Sequence, residues 1–335
     1  MAAGAGVELL FHAWGAEPIL EGSAVRGAIF ESKQGRRAVL AKVVVDATGD
    51  GDLYARAGAA FADDVDARDI HHCMNTSWTW GGVDMPRYLA WRAEAPDEFA
   101  EFMRRGKEAV GFFDKAFASW RDDVALFMGP RLAGYSAVMV DDLSEVEAIS
   151  HRLMFRHLER YRAEAPGFAG AFPMLSAPQL GVRHARRLGG VEPVTRAWWD
   201  GRVSPDEIGV SPSLAPKFAP VSVPYGAILP VALDGLLAPG RHLACDATSH
   251  SFLREIPQCW LTGQAAGVAA ALAADRGVAP RAVPVAAIQG ALRQQGALVR
   301  KAPGRVAAEP REESPLRSSA AEPRGGPALR SSAAE

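Results

Sequence analysis

Residues 43–58 read VVVDATGDGDLYARAG. Three β-branched residues, Val43, Val44 and Val45, run as a strand into Asp46 and then into the small residues Ala47, Thr48, Gly49, Asp50 and Gly51. Residues 53–57 follow as a short helix. A strand that ends on glycine lets its backbone approach a bulky ligand, and in open α/β sheets ligands gather at the carboxyl ends of strands. A plain strand-to-helix turn accounts for the same spacing, so both readings stay open at this point. A calcium loop does not: Asp46, Asp50 and Asp52 lack the alternate spacing of cation ligands, and no glutamate closes the loop.

A second glycine turn lies far along the chain, where Leu236, Leu237 and Ala238 lead into Pro239, Gly240 and Arg241. Asp246, His250, Arg254 and Pro257 follow, and then Thr262, Gly263, Gln264, Ala265, Ala266 and Gly267, which are expected to open a helix. A helix start presents unpaired N–H groups and partial positive charge, and small residues there let an anion or an electron-rich ring edge reach them. Tight helix packing through Gly and Ala explains the same residues equally well.

Between these turns the chain alternates. Residues 7–12, 18–21, 24–32 and 39–41 read as short strands, with Lys33, Gln34 and Gly35 as a turn, so an antiparallel meander feeds the strand at 43–45. Residues 74–80 are expected as a strand and 86–120 as mostly helix. Ser144 with Glu147 fits a capping box for a helix over 144–163, which Ala165, Pro166 and Gly167 end. A strand is expected over 221–229, a small-residue helix over 262–274 that Gly277 ends, and a last helix over 288–299. Beyond about residue 302, Ala307-Ala308-Glu309-Pro310-Arg311 recurs as Ala320-Ala321-Glu322-Pro323-Arg324, which reads as a disordered low-complexity tail.

The 335 residues make room for one large domain or two ordinary ones. With 37 basic and 39 acidic residues the net charge is -2, which favours neither nucleic acid nor an anionic membrane. No apolar run approaches the ~20 residues of a membrane span. The first residues lack the basic start and apolar core of a secretory signal, so a cytoplasmic location is expected. Cys73, Cys245 and Cys259 are too few and too scattered for a disulfide framework or a four-thiolate cluster. Adjacent His71 and His72 beside Cys73 do not have the spacing of a metal site.

Four blocks, in order, carry a resemblance: VVVDATGDGDLYARAG at 43–58, APQLGVRHARRLGG at 177–190, PYGAILP at 224–230 and PGRHLACDATSHSFLREIPQCWLTGQAAGVAAALAA at 239–274. Together they resemble the large FAD-dependent oxidoreductase family over roughly residues 7–280. The resemblance implies an α/β fold: a Rossmann-like FAD-binding domain formed by residues 1–58 and 221–300, an inserted α+β substrate domain at 59–220, and the tail at 301–335. It implies a redox reaction between FAD and a small-molecule substrate. Carried over by position, Ala47, Thr48 and Gly49 flank one side of FAD, Gly240, Arg241 and Asp246 lie near its linker, and Pro257, Gly263, Gln264, Ala265 and Ala266 lie near its ring. Asp246 is the least secure of these, because the bulky His242 and Leu243 follow the Gly-Arg pair.

Catalytic candidates are Arg183, His250 and Arg254. Arg183, Arg186 and Arg187 form a basic cluster suited to a carboxylate, or equally to a solvated, salt-bridged helix face; Arg183 matches the family's Gly-x-Arg-x-x-Arg-Arg block. His250 either faces the flavin or packs. Trp198 and Trp199 are expected to pack the substrate domain.

Members of the family begin with a strand, a Gly-x-Gly-x-x-Gly turn and a helix that cradle the pyrophosphate. No such segment is read here, so the domain is expected to be incomplete, lacking its first βαβ unit, with FAD binding weakened or lost. The alternative to an enzyme is therefore an incompetent fragment, or a subunit whose partner carries the fingerprint. A homo-oligomer or a partner chain completing the sheet is expected on the same ground.

Overall fold

The chain leads with a three-stranded antiparallel sheet of β1 (Trp14–Glu21), β2 (Ala24–Ser32) and β3 (Gly35–Leu40), ordered β1-β2-β3. In this computed structural model residues 1–66, 73–213 and 215–300 are described. Residues 7–12, expected as a strand, are irregular and exposed, Phe11 at 74 %. Their apolar composition suits a strand, but among the described residues no strand pairs with them, and β-propensity without a partner fixes nothing.

After β3 come β4 (Val44–Val45) and α1 (Asp52–Arg56), then β5 (Phe61–Ala62), β6 (Met74–Asn75) and β7 (Trp78–Gly81). The expected single strand over 74–80 is thus two. Helices α2 (Met85–Glu94) and α3 (Pro96–Val110) follow, each with proline in its first turn, where no intrahelical donor is lost. Gly111, at φ 84°, ends α3, so the rest of the expected 86–120 helix is turn and strand: β8 (Phe117–Ala118) and β9 (Val124–Phe127).

Helix α4 (Val140–Glu164) begins four residues before Ser144. Ser144 Oγ donates back to the Val140 carbonyl at 2.7 Å, so no capping box forms. The first turn instead carries Asp141 and Asp142, which suit its positive end. Next come β10 (Phe172–Ser176), β11 (Gly181–Val182), β12 (Arg187–Leu188), β13 (Glu207–Ser211), β14 (Val221–Pro224) and β15 (Leu236–Leu237), and then α5 (Ala247–Leu253), α6 (Ile256–Arg276) and α7 (Val285–Gln294).

Among the described strands, β15 and β4 pair in parallel, with Leu236 opposite Val44 and Leu237 opposite Val45. The chain is a mixed α/β protein in which this pair carries both glycine turns at its carboxyl ends. The described residues up to 300 form one compact unit. Among the described residues, three apolar clusters hold it together. One is aromatic and draws only on residues 78–171, with Trp78, Trp80, Tyr88, Phe102 and Tyr161. A second gathers Val25, Leu53, Tyr54 and Leu188 around Leu236 and Ala238. The third packs Val194, Trp198, Trp199 and Ile208 with Val221, Leu237, Ala265 and Ala269. Trp198 and Trp199 therefore pack in this third cluster and not in the aromatic one, with the Trp199 ring 5.1 Å from Phe218 and 5.4 Å from Phe252 of α5. Among the described residues no helix is long and apolar enough to cross a membrane. The tail from residue 301, like His71 and His72, lies outside the described residues.

Candidate functional site

Both glycine turns meet. Asp46, wholly buried at the end of β4, accepts hydrogen bonds from the Thr48 amide (3.1 Å) and Thr48 hydroxyl (2.7 Å) and from the amides of Leu53 (3.1 Å) and Tyr54 (3.0 Å). One carboxylate thus closes the 47–51 turn and caps α1. Gly49 and Gly51 take φ 81° and 71°, the left-handed region that only glycine enters cheaply. A side chain on Gly49 would run into the Arg241 guanidinium. So the glycine is where Arg241 comes down onto the turn.

Arg241 pairs with Asp50 at 2.7 Å, and Arg186 with Asp52 at 3.1 Å and the Asp50 carbonyl at 2.9 Å. Two arginines from distant segments therefore brace the same aspartate-rich loop. Arg241 Nε is buried with no hydrogen-bond partner among the described residues. Gly240, at φ 100°, has open space where a side chain would stand, and its amide donates to the Thr262 hydroxyl at 3.1 Å.

His242 holds the two turns together, a role its sequence neighbourhood did not show. Its Nε2 lies 2.8 Å from the Pro239 carbonyl and 3.0 Å from the Asp46 carbonyl. Both are acceptors, so Nε2 carries the proton. Burial, reinforced by the charge of Arg241 and opposed by Asp46, pushes the pKa of this imidazole down and keeps it neutral. The signal available in sequence was only that a histidine followed Gly-Arg.

A cleft of about 910 Å³ runs beside this loop. Thr48, Asp50, Asp52 and Arg241 line it on one side; Gln179, Leu180, Gly181, Val182 and Arg186 face them, with Ser144 and Glu147 from α4.

Thr262 does not open α6; the helix starts at Ile256, with Glu255 as N-cap. The amides of 262–267 are inside the helix, and the free donors lie at Ile256 and Gln258, with Pro257 between them contributing none. Pro257 at the first turn is the start signal that outranked Thr262. Along α6, Gly263, Gln264 and Gly267 are exposed, whereas Ala265 and Ala266 are fully buried in the third cluster and face the core. Gln264 Nε2 donates to Gln295 Oε1 at 2.9 Å.

Asp246 is likewise structural. It is the N-cap of α5, accepting from the Ser249 amide at 2.7 Å, and it takes the Arg196 amide at 2.7 Å. Ala47 is exposed on the turn. His250 is buried, with Nε2 2.8 Å from the Arg241 carbonyl and its ring 5.2 Å from that of His184. Arg187 is buried too, donating to the Cys245 carbonyl (3.1 Å) and to Asp64 (2.6 Å). Burial pushes the Cys245 thiol up to about 12, against the pull of Arg187, so it is a packing residue and not a nucleophile.

The residues at the paired turns fit a flavin dinucleotide on two counts: a buried, unpartnered guanidinium N–H that an anionic group satisfies, and glycine backbone with open space in front of it. The chain matches the family model described as FAD dependent oxidoreductase over residues 1–292. No protein of curated function matches it. Among solved structures it resembles a triple mutant of the flavin-dependent brominase Bmp2, at 16 % identity and a TM-score of 0.38, covering 88 % of this chain and 57 % of that one. The chain thus spans little more than half the length of that protein. With four sequence blocks, two glycine turns brought together by β4 and β15, and a family match across nearly all the described residues, this chain belongs to the FAD-dependent oxidoreductase family, whose cofactor is FAD.

Proposed function

We propose that the chain is an FAD-dependent oxidoreductase whose reaction takes place in the cleft between the 47–52 loop and residues 179–186. The carrying observation is Arg241: it stands over Gly49, its Nε has no partner among the described residues, and it lines the cleft. The cleft volume falls in the ~300–1,000 Å³ range of small-molecule sites. In this reading Thr48, Gly49, Gly240 and Arg241 hold the cofactor, with the exposed face of α6 at Gly263 and Gln264 beside them. FAD, when bound, supplies the acceptor or donor of an electron pair. Arg241 offsets negative charge on the cofactor. His242, neutral and doubly hydrogen-bonded, keeps the 239–241 turn in register with Asp46. Arg186 anchors the loop to the substrate side. Residues 1–58 and 221–300 act as a Rossmann-like cofactor part, and the segment 59–220, which contains the aromatic cluster, as the substrate part.

A second reading has a partner chain completing the sheet beside β4. It draws support from the two-residue length of β4 and β15 and from the exposure of Leu40 (74 %) and Val45 (36 %). One experiment separates them. The purified chain is incubated with FAD, desalted and examined by visible absorption. The proposal expects retained flavin that a reductant bleaches, and Arg241→Gln to retain it about 10-fold less tightly, the loss of one charge-assisted hydrogen bond. A colourless chain that acquires flavin only in a complex would establish the second reading; equal retention by wild type and Arg241→Gln would remove Arg241 from the site.

A further inference from the structure

The three arginines of the 183–187 segment are not equivalent. Arg186 is engaged by the Asp50 carbonyl and Asp52, and Arg187 by the Cys245 carbonyl and Asp64. Arg183, half-buried, makes no hydrogen bond or ion pair among the described residues. Its position is set by strand pairing. β11 runs antiparallel to β6 with Val182 opposite Met74, so Arg183, next along, stands across from Cys73. Met74 also exchanges both backbone hydrogen bonds with Leu132, at 2.9 Å each, which brings the exposed Arg131 in from the other side.

Arg254 enters the same neighbourhood from the end of α5. It lies within electrostatic reach of Arg183, Cys73 and Cys259. Its side chain is 13 % exposed, and its Nε is buried with no partner among the described residues. The nearest carboxylate is that of Glu255, at 3.4 Å, whose own side chain is 54 % exposed. The contact between the His184 and His250 rings, and the bond from Arg187 to the Cys245 carbonyl, tie the 183–187 segment to α5. Burial, opposed by the charge of Glu255 and reinforced by that of Arg183, pushes the Arg254 pKa below its usual value. Burial likewise raises the Cys73 thiol, while Arg183, Arg131 and Arg254 pull it the other way.

Two like-charged guanidiniums so placed, one of them poorly hydrated and missing an acceptor, are stabilised by an anion bridging them. A planar guanidinium fork matches a planar carboxylate. A phosphate is better served by a run of backbone N–H groups, and the nearest helix start, that of α6, has proline at its second position and the Cys259 amide already bonded to the Glu255 carbonyl at 3.0 Å.

We propose that Arg183 and Arg254 jointly grip a carboxylate of the substrate, which makes this enzyme one that acts on organic acids. The substrate role rests on the flavin reading above; the anion site itself does not. The test is titration of the chain, with and without added FAD, by succinate, benzoate, succinamide and inorganic phosphate, followed by calorimetry and thermal shift. Succinate or benzoate should bind, and Arg183→Gln and Arg254→Gln should each weaken that binding about 10- to 100-fold, while Arg104→Gln, on the exposed face of α3, leaves it unchanged. Arg183 is half-buried, so its variant keeps the test decisive where Arg254→Gln fails to fold. Equal affinity in the variants, or succinamide or phosphate binding as tightly as succinate, overturns the assignment. Flavin retained with no carboxylate binding sinks this proposal alone. Arginine-dependent carboxylate binding with no flavin retained sinks the flavin reading and leaves the site standing.

Discussion

Asp46 sits where two chain segments must agree. Its two oxygens receive two amides from α1 and both donors of Thr48, in a place with no exposure at all. Hydrogen bonds to a buried charged group each contribute about 1.5–3 kcal/mol, and an amide left unsatisfied costs about as much. Asp46→Asn keeps the shape but replaces one acceptor with a donor facing N–H groups. It is expected to lower unfolding free energy by about 3 kcal/mol in urea denaturation, with cooperative unfolding retained; a variant within about 0.5 kcal/mol of wild type would show that the 47–51 turn is held by something else. In sequence this residue was one of three aspartates near glycine. That it organises the turn, while Asp50 and Asp52 meet arginines, depends on partners remote in the chain.

At the scale of the element, α4 shows what an apolar pattern hides. His157 occupies one of its core positions, ringed by Trp78, Trp80, Phe113, Phe127 and Tyr161, with Nε2 3.0 Å from the Asp114 carbonyl. Burial drives its pKa down to about 3, from a usual value near 6.5. The unfolded chain therefore takes up a proton that the folded one refuses. Stability from this residue is complete above about pH 6.5 and falls as pH drops towards 3, at up to about 1.4 kcal/mol per unit. His157→Phe, which suits the aromatic surroundings, should flatten the pH dependence of urea midpoints between pH 6.5 and 4.5. An unchanged slope would place the acid sensitivity elsewhere. The same element exposes a limit of cap reading: Ser144 and Glu147 have the right spacing, yet α4 starts earlier because Asp141 and Asp142 lie at its first turn. Helix α6 repeats the lesson, with Pro257 starting it and Thr262 serving instead to accept the Gly240 amide.

For the molecule as a whole, an ion pair to the buried Glu207 secures the last described residues. Glu207 of β13 has no exposure and receives the Arg300 amide (2.7 Å), the Arg300 guanidinium (2.7 Å) and the Ser222 hydroxyl (2.6 Å). The pair fastens residue 300 to the β13–β14 hairpin, over which α6 and α7 pack. Removing the Glu207 charge takes the acceptor from the Arg300 amide and from a guanidinium that is itself 29 % exposed, a loss of about 1–3 kcal/mol. Glu207→Gln should show that loss in chemical denaturation and raise hydrogen exchange across α7. A loss below about 1 kcal/mol would mean that Arg300 finds another partner and that the hairpin alone holds the end.

Local chemistry determined much of this protein from sequence alone. The meander, α1 after the first glycine turn and Gly277 as the end of α6 rest on short-range patterns, alternation and left-handed glycine, while the flavin family entered through the resemblance of four whole blocks. The tertiary structure alone decided which arginines of 183–187 are engaged, that Ala265, Ala266 and Asp246 serve the scaffold, and that His242 and Arg241 from one turn lock onto Asp46, Gly49 and Asp50 of the other. Those outcomes are set by which distant backbone comes alongside, through β4–β15 and β6–β11 pairing. The free energy of a charged side chain depends on that neighbour and on its burial far more than on the residues beside it in the chain.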